Sequence, residues 1–436
     1  MAAEKSGDET GAEQGFQKSL WLATAEPEPQ TGPLVGHHES DVVIVGAGIT
    51  GLSTALHLTA LGKSVSVVES RTIGWGASGR NGGQVNPAFE TLPSGVRARF
   101  GVARGEDILK FVDNACDLVF DLIKRHQIQC EARRLPYLRA AVGRRGLRDI
   151  DNWVREWQAF GAPVERLSRQ VTATAIGSDF FTGAMTDGRG GSLQPLSYVR
   201  GLARAAMTGG ARLYTASPAR TLSRQGAGWR LDSDDGAVVA RHLVLATNGY
   251  TDGLWPGLCR VVVPVASLQT ATEPLTEEAA AKILPFGHHV SETRRAMVYF
   301  RRDADGRFLI GGRGSAFRPT RQYADTTHLR REAIRLFPAL RSVNWAYDWG
   351  GLVAITRNHL PQLVELAPSA HAALGYNGRG VAMATAMGQQ LASLLTGGPV
   401  ALPSGDADPF LLHAFRNLGV GCHMLRARLL DKFQRK

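Results

Sequence analysis

The 436-residue sequence is poor in cysteine and lacks long apolar runs. Its four cysteines, Cys116, Cys130, Cys259 and Cys422, form no CxxC pair and do not stand at metal-ligand spacing with histidine, so neither disulfides nor a zinc site are expected. No stretch reaches the about 18 uninterrupted apolar residues that a membrane span requires. The first residues are acidic and polar, without the apolar core of a signal peptide. These absences predict a cytoplasmic protein.

The positive charge of the chain is dispersed rather than concentrated. Fifty basic residues against 39 acidic ones give a formal net charge of +11. The arginines form no dense stripe with interleaved aromatic residues, so a nucleic-acid partner is not expected. The excess charge is compatible with an anionic substrate, cofactor phosphates or anionic lipid, and by itself it selects none of them. The length suits two intertwined domains at roughly 150 residues each.

The N-terminal region divides into an arm and the start of a folded body. Residues 1–39 hold three prolines and few apolar side chains, so we expect a flexible arm in which only the segment 20–22 can dock. Residues 41–45 are a β-branched run that ends in glycine, as in a parallel strand buried on both faces. Residues 50–61 have helical spacing of leucines, and 64–68 form a second strand. The pattern predicts a βαβ unit.

The middle of the chain predicts more of this sheet and then a second sheet. A helix over 196–207 and strands at 211–214, 229–231, 238–240 and 243–246 extend the first pattern. Between about 255 and 350 the segments become short and alternating, as at 297–300 and 308–311, which favours an antiparallel sheet. A long helix over 381–395 returns the chain to the first sheet.

The last segment, 410–436, has the pattern of a basic amphipathic helix. Arginines and a lysine alternate with apolar residues, which are Leu411, Leu412, Phe415, Leu418, Leu425, Leu429 and Leu430. We expect this apolar face to pack against the body of the protein. The alternative is that the helix lies on an anionic membrane.

A glycine fingerprint separates the first strand from the first helix. Gly46, Gly48 and Gly51 fit the G-x-G-x-x-G rule in its strand, turn and helix context. The first glycine permits a tight turn, the second the approach of a pyrophosphate, and the third close packing of the helix. Glu69 follows about 20 residues on, where it can bind ribose hydroxyls. The motif predicts a dinucleotide site and does not separate FAD from NAD.

Two further segments favour a flavin. The first is IGWGASGRNGGQ at 73–84, whose glycines bring backbone against a flat ligand where a nicotinamide domain normally continues into a second helix. The second is GYNGRGV at 375–381, which leads into the predicted helix and points its N-terminus at a ligand. The helix dipole and Arg379 suit the negative charge that develops near flavin N1 and O2 on reduction. We therefore expect FAD.

These segments, together with ATNGYT at 246–251, resemble FAD-dependent oxidoreductases of the D-amino-acid oxidase superfamily. The resemblance runs from about residue 20 to the end. It is nearest to γ-glutamylputrescine oxidoreductase-like proteins, which share the 73–84 loop and ATEP at 271–274. It implies an α/β fold in which a Rossmann-like FAD-binding domain is interleaved with an antiparallel-sheet substrate domain. We expect the FAD domain over 40–95, 190–255 and 350–400, the substrate domain over 96–189 and 256–349, and the C-terminal helix over 401–436.

Carried over residue by residue, the resemblance implies three groups of cofactor contacts. The ADP part would be held by Gly46, Ala47, Gly48, Ile49, Thr50, Gly51, Glu69, Ser70 and Arg71, with Ala219 meeting the adenine through its backbone. The flavin side would be held by Gly76, Ala77, Ser78, Gly79, Arg80, Asn81, Gly82, Gly83 and Gln84, with Thr247, Asn248 and Gly249 nearby. The isoalloxazine would be lined by Gly351, Leu352, Gly378, Arg379, Gly380 and Val381.

The sequence departs from the sarcosine-oxidase branch of this superfamily. Leu309 and Ala382 stand where that branch is expected to carry lysines, and no cysteine lies near the expected attachment stretch before Gly350. We therefore expect non-covalent FAD and no sarcosine-like carboxylate clamp.

Three side chains are candidates for contact with the substrate. His359 suits orienting an amine or tuning its protonation, and the alternative is a histidine that binds only its own loop. Arg313 suits either an anionic substrate group or a brace across the sheet. Arg379 is favoured as a neighbour of the cofactor. Trp345 and Trp349 are expected in the core rather than around an amine.

The resemblance implies oxidation of a C–N bond in an amine or amino acid. A hydride passes to flavin N5, and water hydrolyses the resulting imine to a carbonyl compound and an amine. A γ-glutamylated polyamine is the first substrate expected, with O₂ or an electron carrier as oxidant. One alternative is a membrane-associated FAD dehydrogenase of a D-amino acid or N-methyl amino acid that passes electrons to a carrier. The other is a non-catalytic flavin-bearing assembly or sensor protein.

Overall fold

The computed structural model describes residues 12–314 and 325–433, whose longer strands build two large sheets. The strands are β1 Gly36–Val45, β2 Val65–Val68, β3 Gln84–Val85, β4 Tyr137–Ala141, β5 Val164–Leu167, β6 Gly183–Asp187, β7 Gly191–Ser192, β8 Arg212–Tyr214, β9 Thr221–Gln225, β10 Gly228–Asp232, β11 Gly236–Leu245, β12 Val263–Pro274, β13 His289–Glu292, β14 Val298–Arg302, β15 Arg307–Arg313, β16 Trp345–Ile355, β17 Gln362–Ala367, β18 Ala370–Leu374 and β19 Ser404–Gly405. The helices are α1 Leu20–Thr24, α2 Ile49–Ala60, α3 Pro93–Phe100, α4 Val102–Asp113, α5 Ala115–Arg125, α6 Gly143–Ala159, α7 Arg169–Ile176, α8 Pro195–Thr208, α9 Glu277–Lys282, α10 Thr327–Leu336, α11 Gly380–Leu395 and α12 Arg416–Phe433.

The first sheet is parallel at its centre. Strand β1 lies between β2 and β11, and the parallel pairing continues to β8 on one side and β18 on the other. Val42 and Ile44 join the core beneath α2, whereas Val43 and Val45 join the core on the opposite face. Burial on both faces explains why this strand is a continuous β-branched run. The predicted βαβ unit is confirmed.

The second sheet runs in the order β16-β12-β15-β14-β13-β4-β6-β5. Its neighbouring strands are antiparallel except for β4 and β13, which are parallel. A separate core that includes Phe181, Phe300, Phe308 and Phe337 packs on one face. The predicted antiparallel sheet is therefore present with one parallel pair, and strand β16 crosses the domain boundary predicted at residue 350.

Helices α2 and α11 pack closely on the first sheet. An added Cβ at Gly388 of α11 would lie 2.5 Å from the Cβ of Ser53 in α2, so the two backbones approach as only glycine allows. The Ser53 hydroxyl donates a hydrogen bond to the carbonyl of Thr385 at 2.7 Å. This packing fixes the two helices relative to each other.

The predicted docking of the segment 20–22 is confirmed for Leu20 and Trp21, but the prediction that the rest of the arm is flexible is wrong for Phe16, which is also buried. Phe16, Leu20 and Trp21 are buried against the second sheet, in a cluster with Leu309 and Trp349. The indole N–H of Trp21 also donates to the carbonyl of residue 81 at 2.7 Å. Three large apolar side chains thus anchor this segment, and hydrogen bonds from Gln194 and Arg200 to its backbone add to their burial.

The expected packing of the C-terminal leucines is also wrong. Helix α12 contacts the body through the small or flexible side chains of Met424 and Ala427 and through Asp431. Six of the seven apolar residues named above are exposed, namely Leu411, Leu412, Phe415, Leu418, Leu425 and Leu429. The helix begins at Arg416 rather than near 410, and residues 434–436 lie outside the described part of the chain.

Candidate active site

A cavity of about 1350 Å³ is lined by residues of both sheets. It includes Gly46, Glu69 and Ala246, which follow the carboxyl ends of β1, β2 and β11. This edge of an open parallel sheet is where ligands bind. Ligand cavities usually measure roughly 300–1,000 Å³, so this one has room for a dinucleotide and a second small molecule.

The turn between β1 and α2 has the shape that the glycine fingerprint requires. Gly46 has a φ of +108°, which favours glycine, and its N–H donates to the carbonyl of Val68 at 2.9 Å. An added Cβ at Gly51 would lie 2.0 Å from the carbonyl oxygen of Gly46. A larger residue at position 51 would therefore push the helix away from the turn.

The N-terminus of α2 opens into the cavity. Gly48 precedes the helix and offers no side chain to cap it, and Gly48, Ile49 and Thr50 all line the cavity. The Ser78 hydroxyl oxygen accepts a hydrogen bond from the N–H of Ile49 at 3.0 Å. The other N–H groups of this first turn form an anion site. Ser78, predicted on the flavin side, therefore lies beside the N-terminus of α2.

Glu69 lies at the end of β2 and lines the same cavity. Its carboxylate accepts hydrogen bonds from the N–H of Ala47 at 2.9 Å, the N–H of Arg71 at 2.9 Å and the hydroxyl of Ser70 at 3.2 Å. Burial raises the pKa of Glu69, and these donors oppose the shift. A carboxylate has about four acceptor positions, so one remains for a ribose hydroxyl.

Arg80 is the central side chain of the glycine-rich loop, and it is buried. Its Nε donates to the carbonyl of Trp75 at 2.6 Å, and Nη1 donates to the carbonyls of Ala12 at 2.8 Å and Gly350 at 3.3 Å. The rings of Phe16 and Trp75 lie 4.9 and 4.4 Å from its guanidinium carbon. Nη2 has no partner within the described residues. Arg80 also lines the cavity, so its positive charge lies close to a bound molecule.

A second helix N-terminus, that of α11, faces the cavity. Gly378 has a φ of +88°, and no atom stands within 4 Å of a Cβ added at Gly378 or Gly380. The side-chain oxygen of Asn248 accepts the N–H of Gly375 at 2.8 Å and fixes the loop that leads into the helix. The open backbone here admits a flat ring against the helix dipole.

Arg379 lines the cavity but its charge is already paired. Its Nη2 lies 2.6 Å from the carboxylate of Glu90, which also pairs with Arg139 at 3.1 Å. Burial would raise the pKa of Glu90, but the two guanidiniums outweigh it and hold the pKa at about 2. The contacts favour a structural role for Arg379 over the predicted catalytic one.

FAD fits this arrangement of residues. The N-termini of α2 and α11, neither of which is capped by the side chain of the preceding residue, line one cavity together with Glu69 and Arg80. The N-terminus of α2 suits the pyrophosphate, and that of α11 suits the pyrimidine edge of a flavin.

The side of the cavity formed by the second sheet carries charges of both signs. Glu292 is buried and forms an ion pair with Arg294 at 2.6 Å. The guanidinium of Arg313, in contrast, has no hydrogen-bond or ion-pair partner among the described residues. Burial lowers the pKa of Arg313, while the charge of Asp431 opposes the shift. His359 lines the same cavity with a left-handed backbone, φ +56°. The structure brings Arg313 and His359 to one cavity, as predicted.

Several predicted cofactor residues do not line the cavity. They are Ala47, Gly51, Arg71, Gly79, Gly83, Ala219 and Gly249. Most shape the loops that do, as Gly79 does by lying where an added Cβ would meet the carbonyl of Gly74 at 2.4 Å. Ala219 packs against the outer core of the first sheet instead. Leu309 and Ala382 are buried away from the cavity, and Trp349 is a core residue.

The sequence patterns missed Glu90, Tyr137, Tyr250 and Tyr299, all of which line the cavity. Strand alternation carried a signal for Tyr299, because its neighbours Val298 and Phe300 are core residues and it must face the other way. Its hydroxyl pairs with that of Ser267 at 2.9 Å. Glu90 lies in a loop without a motif, so no comparable signal existed.

The fold and the cavity define a flavin-dependent oxidoreductase with a dinucleotide-binding sheet and a second sheet over the reactive end. A family model described as "FAD dependent oxidoreductase" (DAO) matches residues 41–394, so the chain belongs to this family. Its relatives in the family act on amines and amino acids, and the chain is an FAD-dependent amine or amino-acid oxidoreductase. The expected class, fold and cofactor are confirmed.

The sequence relatives cover most of the chain. It is 31% identical over 381 residues to "Gamma-glutamylputrescine oxidoreductase" of Escherichia coli, which spans 87% of this chain and 86% of that protein. It is 31% identical over 382 residues to "Probable oxidoreductase OrdL" of Rhizobium meliloti, which spans 86% and 88%.

Solved structures share the fold at lower identity. Glycine oxidase from Geobacillus kaustophilus superposes with a TM-score of 0.70 at 21% identity, covering 84% of this chain and 97% of that one. L-proline dehydrogenase from P. horikoshii gives 0.72 at 20%, covering 84% and 96%. Within the described residues, every helix is too short or too polar to cross a bilayer.

Proposed function

We propose that the chain oxidises the C–N bond of an elongated amine that carries an anionic group far from that bond, as a γ-glutamylated polyamine does. The observation that carries this proposal is Arg313, a cation of the cavity wall without a partner among the described residues. An unpaired, partly buried guanidinium is costly, and a substrate carboxylate would satisfy it through charge-assisted hydrogen bonds.

The register of the second sheet sets the reach of such a substrate. Ser267 of β12 pairs with Arg313 on one side and with Gly351 on the other. Adjacent strands are about 4.8 Å apart, so Arg313 stands about 10 Å from Gly351, which is the expected flavin neighbour. This is a separation between backbones, and an extended diamine derivative is long enough to span it, which favours such a substrate over a short amino acid.

The similarity to the E. coli relative supports the same substrate class. The compound in its name is an amide of the glutamate γ-carboxyl group, so it carries a free α-carboxylate at one end and a primary amine at the other. This charge arrangement matches a remote arginine and a flavin at opposite ends of one cavity.

The residues of the chain position and shield the reaction rather than perform it. FAD, when bound, would supply the acceptor for a hydride from the carbon beside the amine nitrogen. The N-terminus of α11 would stabilise negative charge at the pyrimidine edge of the flavin, and the buried guanidinium of Arg80 would supply a second positive group. Water then hydrolyses the released imine to a carbonyl compound and an amine.

Anaerobic bleaching of the flavin tests the proposal. The purified yellow protein is mixed with γ-glutamylputrescine, putrescine, glycine, sarcosine or L-proline, and loss of the band at ~450 nm is followed. We expect rapid bleaching by γ-glutamylputrescine and slower bleaching by putrescine, which lacks the carboxylate. Bleaching by glycine or proline alone would overturn the substrate class. Release of hydrogen peroxide in air distinguishes an oxidase from a dehydrogenase.

The Arg313→Gln variant tests the role of the cation directly. We expect the half-saturating concentration of γ-glutamylputrescine to rise roughly 10- to 100-fold, as for loss of a charge-assisted hydrogen bond, with no change for putrescine. Arg357→Gln is the matched control, because Arg357 lines the same cavity but is paired with Asp408 at 3.4 Å. Equal effects on both substrates would show that Arg313 braces the sheet.

A further inference from the structure

The largest exposed apolar surface of the described chain lies at its C-terminal end. Six of the eleven large hydrophobic side chains that are exposed fall between residues 411 and 429. They are Leu411, Leu412, Phe415, Leu418, Leu425 and Leu429, with exposed fractions from 42% to 83%. We call these six residues the terminal apolar face. Scattered exposed leucines are ordinary, but such a concentration marks an interaction site.

Helix α12 cannot turn this face inward. Leu418, Leu425 and Leu429 share one side of the helix, since their spacings of seven and four residues return to about the same angle. The opposite side is anchored by Asp431, whose carboxylate accepts the N–H of Arg295 at 3.2 Å and of Ala296 at 2.9 Å. Rotating the leucines onto the body would break these bonds and leave a buried carboxylate unpaired.

The charges around the terminal apolar face are positive. Asp431 is the single acidic residue between 410 and 433, and it is buried. Arg426 and Arg428 are exposed and lie about 80° to either side of the line through Leu418. Neither forms an ion pair within the described part of the chain. An apolar stripe flanked on both sides by arginines suits a surface of acyl chains beneath anionic headgroups.

The same segment borders the opening of the cavity. Leu411, Leu412, Phe415 and Leu418 line it together with His423 of α12. We infer that the terminal apolar face binds the protein peripherally to an anionic lipid bilayer, with the opening of the flavin cavity turned toward the lipid. This binding is interfacial, because α12 does not qualify as a membrane span.

Vesicle sedimentation of the full-length, FAD-loaded protein tests the inference. Vesicles of phosphatidylcholine with phosphatidylglycerol are compared with vesicles of phosphatidylcholine alone, at low and high salt. We expect binding to the anionic vesicles that weakens with salt. Leu418→Ser, Leu425→Ser and Leu429→Ser should each lower the affinity about tenfold, and Arg426→Gln and Arg428→Gln roughly fivefold each.

The control variants are Val102→Ser and Phe286→Ser, which alter side chains that are 70% and 60% exposed outside the face. They should bind vesicles as the parent protein does. All variants except Leu418→Ser, whose side chain lines the cavity, should keep their flavin absorbance and melting temperature, because the altered side chains are exposed and lie outside the cavity. Light scattering is measured in parallel. If the leucine variants dissociate an oligomer while vesicle binding is absent or unchanged, the face is a contact between copies and the inference is wrong. Equal binding to both vesicle types would also overturn it.

Discussion

The N-terminal segment 12–34 and the C-terminal segment 410–433 both reach residues of the flavin cavity, and they are held in opposite ways. The N-terminal segment is mostly polar, yet Phe16, Leu20 and Trp21 are buried, and its backbone binds Arg80. The C-terminal segment is rich in leucine, yet its large side chains are exposed and Asp431 holds it. A side chain is buried only where the rest of the protein offers an apolar site for it, and the composition of a segment does not show whether such a site exists.

The largest expected difference between the two segments is in stability. Trp21→Ala should lower the free energy of unfolding by about 3–5 kcal/mol, because it empties a buried site and removes the hydrogen bond to residue 81. Phe415→Ala removes an aromatic ring that is 64% exposed, and its effect should stay within about 0.5 kcal/mol. Urea unfolding of the FAD-loaded proteins measures both. Similar losses in the two variants would remove the contrast.

A second comparison sets Arg80, the buried arginine that the N-terminal segment contacts, against Arg426, an exposed arginine of the C-terminal segment. Arg80→Met leaves the carbonyls of Ala12, Trp75 and Gly350 without their donor and should cost about 2–4 kcal/mol. Flavin retained after ultrafiltration should fall as well, since the cation lines the cofactor cavity. Arg426→Met should change neither quantity. Full flavin retention in Arg80→Met would place the guanidinium outside the cofactor site.

The dependence of stability on acid pH should differ between two ion pairs. Glu90 pairs with Arg379 in the cavity wall, and Asp408 pairs with Arg357 beside the C-terminal segment. The pKa of Glu90 falls from 4.5 to about 2, so its stabilisation is present above about pH 4.5 and is lost as the pH falls toward 2. The full shift corresponds to about 3 kcal/mol. Because the side chain is 39% exposed, screening reduces the expected contribution to about 1–2 kcal/mol.

Glu90→Gln should therefore remove part of the loss of stability between about pH 5 and pH 3. Asp408→Asn breaks the exposed pair with Arg357 and should change stability by less than about 0.5 kcal/mol. The free energies of unfolding of both variants and of the parent protein are measured across this pH range. If the slope for Glu90→Gln matches that of the parent protein, the pair with Arg379 does not stabilise the fold.

The cofactor half of the site could be predicted from the sequence because its signals are local. The run 42–45, the fingerprint at Gly46 and the acid Glu69 all lie within one βαβ unit, where backbone geometry demands particular residue types. The glycine loop at 73–84 belongs to the same stretch. Each of these features can be recognised without knowing which distant residues it contacts.

The substrate half could not be predicted as fully, because it depends on how the second sheet meets the first. Glu90 becomes part of the site only through Arg139 of β4 and Arg379 before α11, which are distant in sequence. The predictions for the two terminal segments were wrong for the same reason. Phe16 and Trp21 are buried by residues more than fifty positions away, and no pattern within the arm reveals those partners.

The smallest expected effect concerns the cap that starts helix α1. The hydroxyl oxygen of Ser19 accepts the N–H of Leu22 at 3.1 Å, and the hydroxyl donates to the carbonyl of Phe16 at 2.7 Å. Ser19→Ala should therefore cost about 1 kcal/mol. Asn417→Ala alters an exposed polar residue in the first turn of α12 and should be neutral within about 0.5 kcal/mol.

Combining Ser19→Ala with Trp21→Ala shows whether the cap acts through the buried indole. If the cap serves to hold Trp21 in its site, the two losses overlap, and the double variant loses less than the sum of the single variants. Additive losses would mean that the cap stabilises the short helix by itself. A neutral Ser19→Ala would show that the cap contributes nothing to holding the N-terminal segment, which would leave its buried side chains and the bonds to its backbone as the anchor.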